Sequence, residues 1–198
     1  MTIVCIGDSL THGYKVKQRE NWPSLVSQAL NIEVVNQGIN GDTTGGMLAR
    51  FNADVIGFKP SHVMIMGGEN DLIWGVPITV VEANLAAMVQ QAAQRSIIPM
   101  LGVPLPIAIS KAQKYWSFVN NFPEVNKSLE EIRTWIISFA KNFSVTVVDF
   151  YPCFVDGQNA VLPDLYCDGL HPTPTGNKLM SDVVLKTLKL TVLNESSE

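Results

Sequence analysis

Short apolar runs of strand length alternate with longer segments of helical period along this whole chain. Residues 2–6, 32–36, 62–66, 97–103 and 145–149 are such runs, rich in Val, Ile and Met. Runs like these suit strands buried on both faces, as in a parallel sheet. The spacing predicts helices over 22–30, 44–53, 80–95, 124–142 and about 175–190. Pro23 sits in a first turn, and Pro123-Glu124 opens the fourth helix with an acid at the positive end of its dipole. Strands alternating with helices imply right-handed crossovers and helices on both sheet faces. The expected fold is α/β: a three-layer α/β/α sandwich around a central parallel sheet of about five strands.

At 198 residues the chain has room for a substantial core, and a single domain over 1–198 is expected. Its residues are 46% hydrophobic and 16% charged, which excludes a disordered chain and fits a buried sheet. A net charge of −4 leaves no basic footprint for nucleic acid. No apolar stretch approaches the ~20 residues of a membrane helix, so stable membrane insertion is not expected. Met1 to Ile6 lead into Gly7 without a basic segment, an adequate apolar stretch or a small-residue cleavage site. Three cysteines without metal spacing suggest no disulfide framework. A cytoplasmic location is the expectation from these features. Oligomeric state is not legible.

In parallel sheets, ligands bind outside the carboxyl ends of the strands. Ser9, Gly41, Asn70 and His171 all fall there, or in the loop before the last helix. Two long connections, 104–122 and 150–173, also stand out, since loops of this length are often functional. The first carries Leu105, Ile107, Ile109, Tyr115, Trp116 and Phe118. It is expected either to wall a substrate cleft or to pack on the core. Residues 194–198 are expected to fray.

Ser9, in Gly7-Asp8-Ser9-Leu10-Thr11, is the candidate nucleophile. If it heads a helix after the first strand, the dipole helps stabilise developing negative charge there. Serines also cap helices routinely, and alone this motif would be read so. Asp168-Gly169-Leu170-His171-Pro172 supplies a candidate base, His171, and an acid, Asp168, to orient it. A serine hydroxyl needs both, and a free imidazole with pKa near ~6.5 is mostly neutral at pH 7. Donors for an oxyanion are available at the Ser9 N–H, in the turn holding Gly41, and in the Asn70 amide. Each block alone is equally ordinary turn chemistry.

Taken in order, the blocks resemble those of the GDSL family, in its SGNH hydrolase branch. Gly7-Asp8-Ser9-Leu10 is similar to the first block, Gly41 to the second-block glycine, Asn70 in Gly68-Glu69-Asn70-Asp71 to the third-block asparagine, and Asp168 with His171 to the last. Asn21-Trp22-Pro23 and Gly176 also match. The resemblance implies the SGNH hydrolase fold, catalytic Ser9, Asp168 and His171, and an oxyanion hole of Ser9, Gly41 and Asn70. It implies an acyl-enzyme route on carboxylic esters or thioesters, with no cofactor and no metal. The partner would be a small-molecule acyl ester, short- to medium-chain because nothing advertises a carbohydrate cleft and 104–122 is apolar. A carbohydrate O-acetylesterase is the alternative. The chain departs from the pattern at Glu69, often small or polar in the family. That carboxylate would repel an anionic substrate or face solvent. Residues 111–122 match no motif.

Other readings carry less. Asp8, Asp42, Asp71 and His171 have the chemistry of hard-cation ligands, yet no Asp-x-His precedes Gly7 as a metallophosphoesterase would require. Gly41 and Gly46 have P-loop spacing, but Met47-Leu48 replaces the required Lys-Ser/Thr. A non-catalytic binding module on the same scaffold is the other class. His12, one turn beyond Ser9, is a rival base without an obvious acid. Trp22, Trp74, Trp116 and Trp135 are expected to pack rather than to bind sugar, with Trp74 close to Asn70.

Overall fold

The computed structural model describes residues 1–195, with side chains described to residue 189; of the expected frayed tail, residues 196–198 lie outside the described residues. The chain runs β1 (Thr2–Gly7), α1 (Ser9–His12), α2 (Trp22–Leu30), β2 (Glu33–Gly38), α3 (Thr44–Asp54), β3 (His62–Met66), α4 (Glu69–Ile73), α5 (Ile78–Ala93), β4 (Ile98–Val103), α6 (Ile109–Tyr115), α7 (Phe122–Phe143), β5 (Thr146–Asp149) and α8 (Pro174–Glu195). The backbone of 194–195 is therefore still helical rather than frayed.

All five strands are parallel, in the order β2-β1-β3-β4-β5. Successive side chains of a strand point to opposite faces, and the burial follows that rule. Val4 and Ile6 of β1 join Val63 and Ile65 of β3 under α3, α5 and α7. Ile3 and Cys5 join Met64 and Met66 on the other face, under α2 and α8. Each fully buried Val, Leu or Ile of these layers contributes about 1.5–3 kcal/mol. The expected α/β/α sandwich is what forms. Burial on both faces holds for the inner strands only. β2 and β5 stand at the edges and stay partly exposed.

The chain leaves β1 toward β2 on one side and returns to β3 on the other. A crevice opens where the order reverses, beyond the carboxyl ends of β1 and β3. The connection 104–122 does both things expected of it. Leu105 and Ile107 are buried in the core, α6 follows, and Trp116, Phe118 and Val119 wall a cavity at that crevice. The connection 150–173 folds into two short turns, Tyr151–Cys153 and Pro163–Leu165, and is closed by bridges Val155–Val161 and Tyr166–Pro172. Among the described residues no helix is long and apolar enough to cross a membrane.

Candidate active site

Ser9 is held by a tight turn at the end of β1. The Asp8 carboxylate accepts from the Leu10 N–H (2.9 Å), capping α1, and Gly13 (φ 86°) ends it after a single turn. So short a helix has little dipole. Whatever stabilises charge at Ser9 must come from individual N–H groups rather than from the helix. Gly7 is required here, because a Cβ would lie 2.2 Å from Thr11 Oγ1 and 2.7 Å from the Met66 carbonyl. Trp22 Nε1 donates to the Leu10 carbonyl (3.0 Å), and Asn21 Nδ2 to that of His12 (3.1 Å). The Asn21-Trp22-Pro23 block thus braces α1 from below.

His171 and Asp168 sit on the loop before α8. His171 Nδ1 lies 2.9 Å from Asp168 Oδ2 and 3.1 Å from Oδ1, while Nε2 lies 3.0 Å from Ser9 Oγ. A carboxylate accepts only, so the ring proton belongs on Nδ1. That leaves Nε2 to accept from the serine hydroxyl. Asp168 also accepts from the backbone N–H of Leu170 (3.1 Å) and of His171 (2.9 Å). Burial alone would push its carboxyl up, but the His171 side-chain and backbone hydrogen bonds, with Lys15, hold it well below the usual carboxylate range. The rings of Tyr14 (4.6 Å) and Trp116 (5.8 Å) flank the imidazole.

Gly41 and Asn70 complete the constellation. Gly41 (φ 77°) lies in the turn closed by the Asp42 N–H on the Ile39 carbonyl (3.1 Å). Asn70 Nδ2 donates to the Asp42 carbonyl (2.9 Å), fixing the amide against that turn with one N–H in reserve. Ser9, Gly41, Asn70 and His171 line one cavity of about 360 Å³. Its apolar walls are Ile73, Trp74, Trp116, Phe118, Val119 and Leu170.

The structure corrects several expectations. Gly67 to Asp71, which alone reads as ordinary turn chemistry, runs into a helix: α4 begins at Glu69. Glu69 does not face solvent, being 5% exposed on the cavity lining with Oε2 unpartnered. Burial first, then the nearby Asp8 and Asp168 charges, raise its carboxyl well above the ordinary value. His12 Nδ1 faces the Gly38 carbonyl (3.1 Å), away from the relay. Trp22 is core, as expected, whereas Trp116 and Trp74 line the cavity, the latter 71% exposed. The four hard-cation candidates do not converge. Asp42 pairs with Arg50 (2.8 Å), Asp71 binds the Thr44 N–H and hydroxyl (2.8 and 2.6 Å), and Asp8 caps α1.

Two supporting residues escaped sequence reasoning. Arg50 donates to Asp42, to Asp54 (2.9 Å) and to the Gly7 carbonyl (3.0 Å), tying the end of β1 to the Gly41 turn. Its i,i+4 spacing to Asp54 was a visible signal; its reach to Gly7 was not. Lys15 Nζ lies 2.9 Å from Asp168 Oδ2, and nothing local in the sequence pairs them.

Comparison with known proteins places these observations among ester hydrolases. Residues 5–179 match the model of the GDSL-like Lipase/Acylhydrolase family. The chain is 28% identical over 194 residues to Esterase TesA of Pseudomonas aeruginosa, covering 95% of this chain and 88% of that one. It is 28% identical over 167 residues to an acetylxylan esterase of Geobacillus stearothermophilus, covering 80% and 73%. A solved structure of a G-D-S-L family protein from Desulfitobacterium hafniense superposes with a TM-score of 0.81 at 33% identity, covering 94% of this chain and 98% of that one.

Proposed function

From the premise that this chain belongs to the GDSL-like lipase/acylhydrolase family and is an ester hydrolase of that class, we propose that it works through an acyl-enzyme on Ser9. Ser9 Oγ attacks the carbonyl carbon while His171 Nε2 takes the hydroxyl proton, and Asp168 holds the ring and offsets the imidazolium charge. The Ser9 N–H, the Gly41 N–H and the free Asn70 amide N–H receive the oxyanion. As the tetrahedral intermediate collapses, the C–O bond of an ester or the C–S bond of a thioester breaks, and His171 gives its proton to the leaving alcohol or thiol. His171 then deprotonates a water that attacks the acyl carbonyl; the acyl carbon–Oγ bond breaks, His171 returns the proton to Ser9 Oγ, and the carboxylic acid product leaves. The reading needs no cofactor and no metal.

One observation carries this reading. Residues far apart in the chain form an unbroken line of hydrogen-bonding atoms, Asp168 Oδ2 to His171 Nδ1 (2.9 Å) and His171 Nε2 to Ser9 Oγ (3.0 Å), at the lip of an apolar cavity. The cavity favours short- to medium-chain acyl groups, since its volume lies near the lower end of ligand pockets and its walls are mostly hydrocarbon. A carbohydrate O-acetylesterase is the alternative, supported by the exposed Trp74 at the rim and by the acetylxylan esterase likeness. Initial rates on p-nitrophenyl esters from acetate to palmitate, beside an acetylated xylo-oligosaccharide and an acyl-CoA, decide between them. The proposal expects kcat/KM to peak between butyrate and octanoate and to survive EDTA. A higher kcat/KM on the acetylated sugar would replace it with the alternative.

The same proposal takes residues 1–198 as one domain, supported by a single sheet spanning Thr2 to Asp149 and by α8 packing back onto α2. It takes the partner to be a small acyl ester rather than nucleic acid, in keeping with the net charge of −4. It also takes the location to be cytoplasmic; Cys5, Cys153 and Cys167 are all free thiols, which accords with a reducing compartment.

A further inference from the structure

We propose that Lys15 is a positioning residue of the relay: its ammonium, docked on the oxygen of Asp168 that also faces His171, extends the chain to Ser9–His171–Asp168–Lys15 and sets the acid limb of the rate profile. This rests on the Ser–His–Asp reading above. Asp168 Oδ1 faces the Leu170 and His171 N–H groups and the His171 ring, and Oδ2 faces that ring and Lys15 Nζ, 2.9 Å from each. No acceptor site on this fully buried carboxylate is left over.

The backbone bends to deliver that ammonium. Lys15 stands at φ 67°, a left-handed conformation that a residue with a Cβ adopts only at a cost. The turn starts where the Gly13 and Tyr14 N–H groups both reach the Ser9 carbonyl (3.0 and 3.1 Å). Nucleophile and lysine are therefore two ends of one rigid bend. The ammonium lies over the rings of Tyr14 (5.7 Å to the centroid) and Tyr115 (5.4 Å). Tyr14 in turn packs on His171, so this one turn holds both the imidazole and its acid.

The chemical consequence has a definite sign. Lys15 Nζ and His171 Nδ1 flank one oxygen, at most about 6 Å apart. A cation there shares the carboxylate charge that would otherwise stabilise an imidazolium alone. Removing that cation should therefore leave the whole carboxylate charge to stabilise the imidazolium. Other groups around this pair are accounted for. After burial, the Asp168 charge raises the Glu69 carboxyl, from α4, and the Cys167 thiol beside it. Lys111, from α6, is anchored on the Tyr166 carbonyl (2.6 Å), and Ser9, Tyr14 and Trp116 complete the surroundings. Of these cations only Lys15 touches Asp168, and it is absent from the cavity lining.

The test is the pH dependence of kcat/KM for p-nitrophenyl butyrate at low ionic strength, in the parent, Lys15→Met and Lys15→Arg proteins. Lys15→Met should move the acid limb to higher pH by roughly 0.5–2 units with KM nearly unchanged. Lys15→Arg should restore the parent limb, because a guanidinium also reaches Asp168. A lysine that merely buttressed the turn would lower Tm in Lys15→Met without moving the limb. As a readout free of turnover, the His171 ring is titrated by NMR in Ser9→Ala protein with and without Lys15→Met, or Lys15→Gln if the methionine variant fails to fold. It should show the same upward shift. Superimposable limbs and ring titrations in folded proteins overturn the proposal. Hydrolysis surviving in Ser9→Ala would instead overturn the serine reading beneath it.

Discussion

Gly169, between the acid and the histidine, is the position where one methyl group should do most damage. Its φ is +93°, and an added Cβ would lie 2.3 Å from the backbone nitrogen of Ala112 and 2.6 Å from its Cα. These are main-chain atoms of α6, so no side chain can swing away. Left-handed strain contributes about 1–2 kcal/mol and overpacking about 1–3 kcal/mol. Gly169→Ala should therefore lose about 2–5 kcal/mol, a large share of the ~5–15 kcal/mol that holds a typical domain. Two controls separate the causes. Gly75 has φ +76° and Gly157 lacks a positive φ, and neither would have an atom within 4 Å of a new Cβ. Gly75→Ala should then show the strain alone, and Gly157→Ala less than about 0.5 kcal/mol. Urea unfolding measures all three. Any shift of the loop that relieves the overlap displaces Asp168 and His171, so kcat should fall by about 10²-fold even where the variant is folded. Equal stability losses in Gly169→Ala and Gly75→Ala, with kcat intact, would refute the packing argument.

Asn70→Ala removes both the proposed oxyanion donor and the bond to the Asp42 carbonyl, so kcat should drop by about 10²–10³-fold and stability by about 1 kcal/mol. Steady-state kinetics with an unchanged kcat would remove Asn70 from the oxyanion site. Asp8 is raised from the ordinary aspartate value of 3.8 to about 7, first by burial and then by the charges of Asp42 and Asp71, against the Leu10 N–H bond. Because the unfolded chain ionises first, stability present below the ordinary value is lost as pH rises toward 7, by about 4 kcal/mol. Asp8→Asn should lack this slope and gain on the parent between about pH 4 and 8 in urea unfolding; parallel curves would contradict the assignment.

The inner framework was legible because it depends on local pattern. Val63 to Met66 and Ile3 to Ile6 are continuous apolar runs that only a doubly covered strand can bury. The blocks around Ser9, Gly41, Asn70 and Asp168 were legible for a different reason: their order along the chain matched a known family, whereas each alone was ordinary turn chemistry. What stayed hidden depends on contacts between distant segments. The exposure of β2 follows from its place at the sheet edge, which no run of its own residues encodes. Of the two readings of Glu69, repelling an anionic substrate or facing solvent, the second fails because α4 turns the carboxylate into the cavity wall. Nothing near Lys15 in the sequence marks it, because its partner, Asp168, arrives from the far end of the chain. Arg50 reads as one half of an i,i+4 pair, while its bond to the Gly7 carbonyl needs the sheet to exist first.

The central claim is that the Ser9 hydroxyl is a nucleophile activated by His171, and covalent capture tests it most directly. A fluorophosphonate incubated with the folded protein should add one phosphonyl group per chain by intact mass, mapped to Ser9 on the peptide. The adduct should vanish in Ser9→Ala and form far more slowly in His171→Ala. Folded protein that stays unlabelled, or an adduct on another residue, would contradict the account.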